Sequence, residues 1–260
     1  MDVSGMRMVV TGAGHGIGRA IAARMAAGGA QVVVNDIDAG AAQAAAAETG
    51  GYAVPGDAAS QEGVTALIDA ARDRLGGIDA YFSNAGVGTG RGLAAPDADW
   101  MTSIEVNLLA HVRAARLLVP GWAASGGGRL VITASAAGLL TMLGLPAYSA
   151  TKHAAVAFAE WLSATYRHRG VVVQVICPQG VKTRMLDGSG PLRELLSHDT
   201  ALEPAQVADA VWQGLQDDRF LILPHPQVQG YYEHRAAHTD TWLAGMNKLQ
   251  RRLEEAGGLW

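Results

Sequence analysis

The stretch MRMVVTGAGHGIGRAIAARMAA, Met6 to Ala27, decides the fold. Met6–Val10 is a short apolar strand, Thr11 to Gly18 is a glycine-rich turn, and an alanine-rich helix runs on to about Ala27. Glycine lets the backbone come close to a pyrophosphate, and the free N–H groups and dipole of the helix start favour its negative charge. A glycine pattern by itself is a weak signal; a strand before it and a helix after it are the context that gives it meaning. A second apolar strand, Gln31–Val34, ends in Asn35-Asp36. A carboxylate about 20 residues past the glycines accepts hydrogen bonds from a ribose 2′-hydroxyl and repels a 2′-phosphate. Asp36 can also cap the following helix. No arginine follows at Ile37, and His15 rather than Arg or Lys precedes Gly16, so the expected dinucleotide is NAD.

The same alternation continues along the chain. Tyr52–Val54 leads into Gly56-Asp57, a turn whose carboxylate can meet an adenine amino group, and Ser60 caps a helix to about Leu75. Ile78–Ser83 is a fourth strand ending in Ser83-Asn-Ala-Gly86, small residues that permit close ligand contact. A long helical region runs from Pro96 through Val119 with Asn107 inside it, a costly position for asparagine unless its side chain has a task such as holding a water. Arg129–Thr133 is a fifth strand and Tyr148–Tyr166 a long helix. Val171–Ile176 is a sixth strand ending in Cys177-Pro-Gln-Gly180-Val-Lys-Thr183. A flexible stretch with Gly188, Gly190 and Pro191 precedes a helix over Pro204–Leu215 and a seventh strand, Phe220–Leu223. Strands alternating with helices imply βαβ units and a parallel sheet.

Ser135 to Lys152, SAAGLLTMLGLPAYSATK, carries the candidate chemistry. Tyr148 and Lys152 are four apart, hence on one helix face. An ammonium near a phenol favours the phenolate, so Lys152 is expected to lower the Tyr148 pKa and make it a general acid or base. Ser135, at a strand end, can hold a substrate oxygen. It is no acyl nucleophile, since Gly-x-Ser-x-Gly is absent.

Composition narrows the rest. The 260 residues can bury a large core. A net charge of −4 gives no electrostatic case for nucleic acid or an anionic membrane surface, and the single Cys177 excludes an intramolecular disulfide. No signal peptide opens the chain, and no apolar run approaches the roughly 20 residues that cross a bilayer. The expectation is a soluble, cytoplasmic protein. His234 and His238 are four apart, but two ligands do not make a zinc site, and no metal is expected.

Taken together, Thr11-Gly-x-x-x-Gly16-x-Gly18, Asp57, Ser83-Asn84-Ala85-Gly86, Asn107, Ser135, Tyr148-x-x-x-Lys152 and Pro178…Val181-x-Thr183 resemble the single-domain short-chain dehydrogenase/reductase family over about residues 5 to 223. The resemblance implies a Rossmann-type, doubly wound α/β fold, a parallel seven-stranded sheet with helices on both faces. Residues 1–260 would form one domain, with 224–260 a helical extension. It implies Tyr148 as proton donor or acceptor, Ser135 orienting the carbonyl or hydroxyl, Lys152 on the nicotinamide ribose, and Asn107 in a proton relay through water. The expected NAD site comprises Gly12, Gly14, His15, Gly16, Ile17, Gly18, Asp36, Ile37, Asp57, Ala58, Asn84, Ala85, Gly86, Tyr148, Lys152, Pro178, Gly180, Val181 and Thr183, the last two holding the carboxamide. Two departures stand out: Ser83 replaces the family's usual first Asn, and Gln179 its usual Gly after Pro178.

The expected activity is NAD-dependent interconversion of a small lipophilic secondary alcohol and its ketone. A 3-oxoacyl carrier-protein reductase is the enzymatic alternative, disfavoured by Asp36 and by the lack of a basic rim. A silent dinucleotide-binding module is the other, disfavoured because binding alone needs neither Ser135 nor Tyr148. Leu139, Leu140, Met142, Leu143 and Leu145, with Met185 and Leu186, either pack the core or face an apolar substrate. In the tail, Asp240 reads as an N-cap, and Trp242, Met246, Leu249 and Leu253 form one apolar stripe. Either its own domain covers that stripe or a neighbouring subunit of the homotetramer common in this family does.

Overall fold

The structure is a computed structural model and describes residues 2–187 and 201–255. The stretch with Gly188, Gly190 and Pro191 lies outside the described residues. Seven strands form one all-parallel sheet in the order β3-β2-β1-β4-β5-β6-β7. They are β1 (Arg7–Val10), β2 (Gln31–Val34), β3 (Tyr52–Ala53), β4 (Ala80–Ser83), β5 (Gly128–Thr133), β6 (Val171–Ile176) and β7 (Leu221–Ile222). From β1 the chain builds outwards to β3, then returns to lay β4 on the other side of β1. The carboxyl ends of β1 and β4 therefore diverge into a crevice, the usual ligand position in an open α/β sheet.

Strand side chains alternate between the two faces and so feed two cores. Met8 and Val10 of β1 pack with Ile21 and Met25 of α1 (Gly16–Ala27), with α2 (Ala39–Thr49), and with Val207, Val211 and Leu215 of α8 (Pro204–Asp217). Val9 points the other way, to a core built by α3 (Gln61–Leu75), α5 (Ala110–Ser125) and α6 (Pro146–Tyr166). Local chemistry sets the helix ends. The Asp38 carboxylate accepts from Ala41 N at 3.0 Å and the Ser60 hydroxyl from Gly63 N at 3.1 Å, each an N-cap. Gly50 and Gly76 close α2 and α3 in the left-handed conformation.

Three expectations change. The helix read from Pro96 to Val119 is broken into α4 (Asp97–Ile104), a π turn over Glu105–Leu109, and α5. The wide turn lets Asn107 aim its amide at Val87, donating to its carbonyl and accepting from its N–H, both at 2.9 Å. Its task is thus to bond backbone. Helix α6 starts two residues before Tyr148, because Pro146 is pre-set for a first turn. A short α7 (Arg184–Asp187) follows β6, and the tail folds as α9 (Gln227–Ala237) and α10 (Thr239–Glu255). Asp240 therefore lies inside the first turn of α10, where its charge suits the dipole, and is not its N-cap. His238 falls past the end of α9.

Candidate active site

A cavity of about 940 Å³ opens over the carboxyl ends of β1, β4, β5 and β6. All the expected site residues line it except Gly14 and Asn107. Gly14 is turned away, its N–H donating to Asp36 Oδ2 at 2.9 Å, and Asn107 sits behind Gly86.

At the dinucleotide end, Gly12 and Gly16 hold φ of +58° and +53°, a conformation that favours glycine. A Cβ on Gly18 would lie 2.3 Å from the Gly12 carbonyl oxygen, so α1 begins in direct contact with the turn. His15 is the N-cap of α1 and supplies no side-chain cap, leaving its first N–H groups for an anion. That bare helix start beneath a glycine cradle fits a pyrophosphate. Asn84 ties three strand ends together: its amide donates to Thr11 O at 3.0 Å, its Oδ1 accepts from Thr133 at 3.0 Å, and its N–H reaches Thr11 Oγ1 at 2.9 Å. Thr11 stood in the glycine motif without a role of its own, and Thr133 had no sequence signal beyond lying at a strand end.

Asp36 gives one oxygen to Gly14 N and the other to Asp38 N, at 2.9 and 3.0 Å. A carboxylate has about four acceptor sites, so capacity for ribose hydroxyls remains. Asp57 also lines the cavity with part of its acceptor capacity already used. It accepts from Ala59 N at 2.8 Å and Ser60 N at 3.1 Å, fastening the start of α3. Burial opposes its ionisation, but those amides, the Ser60 hydroxyl and Arg113 outweigh it and hold its pKa below the usual value.

At the other end, Tyr148 and Lys152 share one face of α6. The Lys152 ammonium donates to Thr133 O at 2.8 Å and lies 5.6 Å from the centre of the Tyr148 ring. The Ser135 hydroxyl, in the turn after β5, bonds to Tyr148 and accepts from Ala137 N at 3.1 Å. Lys152 and Asn107 converge on Gly86, where a Cβ would be 3.4 Å from Nζ and 3.3 Å from Asn107 Oδ1.

The electrostatics correct one expectation. Tyr148 is half-buried by exposed surface, yet the protein packed around its phenol raises its pKa. The bond to Ser135 offsets only part of this, and the charge of Lys152 does not reverse it. Burial also pushes Lys152 down to about 8 and the Cys177 thiol up to about 12. Because folding depresses the Lys152 pKa from 10.5 to about 8, the unfolded chain binds its proton more tightly in that window. Stability should therefore gain as pH rises through it. Wild type minus Lys152→Met should rise over that range in denaturant titrations; a flat difference would show that Lys152 is not desolvated.

Ser83 has an explanation that the sequence did not offer. Its hydroxyl is 2.6 Å from Nδ1 of His111, a fully buried ring. Burial, aided by Lys152, pushes His111 down to about 3 and keeps it neutral. Gln179 is likewise engaged, its N–H donating to His225 Nδ1 at 3.2 Å and its Oε1 accepting from Gln227 at 3.1 Å.

The outer wall is apolar. Leu140, Met142, Leu143, Leu145, Met185 and Leu186 line the cavity, whereas Leu139 is core. Tyr231, Trp242, Met246 and Leu249 of the same chain complete the wall, so three of the four stripe residues line the chain's own cavity. Arg91 and Arg184 also reach the wall, cations that the sequence reading did not place there. His234 and His238 have ring centres 5.2 Å apart beside Trp242. Among the described residues no group of three or more His, Cys, Asp or Glu side chains is placed to hold a metal ion.

Residues 6–192 match the family model described as short chain dehydrogenase. The chain belongs to the short-chain dehydrogenase/reductase family. It is an oxidoreductase acting on CH–OH groups with NAD(P) as acceptor. It is 40% identical over 230 residues to a 1-deoxy-11-beta-hydroxypentalenate dehydrogenase of Streptomyces exfoliatus, covering 85% of this chain and 83% of that one. It is 33% identical to a 2,5-dichloro-2,5-cyclohexadiene-1,4-diol dehydrogenase of Sphingobium indicum, covering 93% and 90%. Among solved structures, a short-chain dehydrogenase/reductase from Burkholderia phymatum in complex with NAD superposes with a TM-score of 0.83 at 29% identity, over 93% of this chain and 96% of that one. A 7 alpha-hydroxysteroid dehydrogenase complexed with NADH and 7-oxo glycochenodeoxycholic acid superposes with a TM-score of 0.76 at 27% identity, over 85% and 92%.

Proposed function

We propose that this dehydrogenase interconverts a bulky, lipophilic, cyclic secondary alcohol and its ketone, with NAD as cofactor and Tyr148 as acid/base. The observation that carries the reading is the meeting of Ser135, Tyr148 and Lys152 at the inner end of a cavity whose outer wall is apolar and drawn from three separate segments. Cyclic substrates fit that wall, and the names of the pentalenate, cyclohexadiene-diol and hydroxysteroid relatives all denote ring compounds.

NAD, when bound, supplies the acceptor or donor of the hydride. The chain does the rest. Tyr148 takes the alcohol proton in oxidation and returns it in reduction. Ser135 donates to the substrate oxygen and orients it. Lys152 relays that proton, and Asn107, which converges with it at Gly86, fixes the Val87 backbone beside the site. The glycine turn and the start of α1 hold the pyrophosphate, Asp36 the adenosine ribose, and Val181 and Thr183 the carboxamide. In the same reading residues 1–260 are one domain, 224–260 are its helical extension, and the enzyme works in the cytoplasm as a homotetramer. The single, buried thiol of Cys177 suits a reducing compartment. Among the described residues no helix is long and apolar enough to cross a membrane.

The test is NAD reduction against a panel of alicyclic, steroid and aliphatic alcohols, repeated with NADP. Cyclic alcohols should turn over fastest. Asp36 should impose a preference for NAD on the order of 100-fold, because its carboxylate faces the 2′-phosphate of NADP. Asp36→Ala should erode that preference. Equal catalytic efficiency with both cofactors in wild type would refute the cofactor assignment, and no turnover of any cyclic alcohol would refute the substrate class.

A further inference from the structure

Helix α9 touches both of the loops that follow the neighbouring strands β5 and β6. At its first turn, Gln227 Nε2 donates to Gln179 Oε1 at 3.1 Å, and just before it His225 Nδ1 accepts from Gln179 N at 3.2 Å. At its last turn, Arg235 Nη1 donates to Leu139 O at 2.7 Å. Gln227 and Arg235 are separated by about 12 Å along the axis, at 1.5 Å per residue. Between them Val228 is fully buried and roots the helix in the core. The first loop, after β6, carries Pro178, whose carbonyl accepts from Ala136 N at 2.8 Å, and runs on to Val181 and Thr183. The second, Leu139 to Leu145, supplies apolar wall and leads directly into Tyr148. A glycine at position 179 would have no side chain to offer Gln227.

We propose that α9 is a strut coupling the dinucleotide loop to the substrate wall, with Gln179, Gln227 and Arg235 as positioning residues. Seating a dinucleotide against residues 178–183 orders the Leu139–Leu145 loop through the helix, and the alcohol pocket is completed only then. The proposal rests on the reading of residues 178–183 as the nicotinamide loop. Arg235 holds α9 in the place from which Gln227 braces the 178–183 loop, so loosening that far end should leave the loop less preorganised and weaken NAD.

The experiment uses the full chain and NAD alone. NAD affinity is titrated by intrinsic fluorescence, and amide hydrogen exchange over residues 139–145 is followed with and without saturating NAD. Wild type should show slower exchange there once NAD is bound. Gln227→Leu should bind NAD roughly 2- to 10-fold more weakly, the value of one neutral hydrogen bond, and lose that slowing. Arg235→Met should weaken NAD similarly although it lies at the other end, while Arg235→Lys, which keeps a donor, should retain most of the coupling. The double variant should bind no more weakly than the worse single one, since a strut cut twice is cut once. Gln179→Gly removes the same bond without touching α9 and should repeat the Gln227→Leu result. Wild-type NAD affinity in Arg235→Met, full slowing in Gln227→Leu, or multiplying losses in the double variant would each overturn the strut. A wild type that bound no NAD would overturn the functional reading itself, and the strut with it.

Discussion

Tyr148→Phe should abolish turnover while leaving NAD binding close to that of wild type. The ring and its place on α6 stay; only the hydroxyl that bonds to Ser135 goes. Loss of a positioned acid/base group costs roughly 100- to 10,000-fold in rate. The pH profile carries the sign of the mechanism. In oxidation the group that accepts the alcohol proton is the phenolate, whose population grows with pH. Burial holds the Tyr148 pKa above the ordinary phenol value of 10.0 in the NAD-free site. Oxidation should therefore keep climbing through the neutral and mildly alkaline range, and reduction, which needs the phenol, should not. Measuring kcat for both directions across that range tests the slope, and the residual activity of Tyr148→Phe should lack it. A variant that kept most of its activity would remove Tyr148 from the chemistry.

Gly18→Ala should all but abolish NAD binding. A Cβ there would sit 2.3 Å from Gly12 O and 2.5 Å from Asn84 Nδ2, the atom that ties the turn to β4. Neither neighbour is a flexible chain end, so the first turn of α1 must move off the glycine cradle. Overpacking of this kind costs about 1–3 kcal/mol in stability. The displacement also takes the free N–H groups away from the pyrophosphate position, where only close approach makes them useful. Calorimetric titration with NAD should show no saturable binding at concentrations that fill wild type, with a folded far-ultraviolet spectrum retained. Wild-type affinity in Gly18→Ala would mean that the turn does not cradle the dinucleotide.

The features legible in the sequence are those that neighbouring residues decide. A run such as Met6–Val10 is apolar enough to be a strand wherever it lands, and glycines at Gly12 and Gly16 announce positive φ because other residues rarely adopt it. Ser60 bonds an N–H group three residues on, so its helix begins where the chain itself says, whereas the cap of α2, expected at Asp36, lies at Asp38. Tyr148 and Lys152 share a face because helical spacing places them there. These local rules, repeated strand by strand, were enough for the parallel sheet, while most of the cavity lining followed from the resemblance to the family. Even so, the π turn at Glu105–Leu109 escaped them, since it is Val87, some 20 residues earlier, that holds the Asn107 amide.

Tertiary structure decided what depends on partners distant in the chain and on exclusion of water. The Tyr148 pKa is one case: a lysine four residues away suggests a lowered value, but desolvation acts over the whole neighbourhood and wins. Ser83 is another, intelligible only once the fold brings His111, 28 residues on, within 2.6 Å. Gln179 meets Gln227 across 48 residues, and no local pattern records such a bond. The tail stripe could be read as apolar but not as to what it covers, because amphipathicity fixes a face and not a partner. The packing places Trp242, Met246 and Leu249 along the wall of the chain's own cavity.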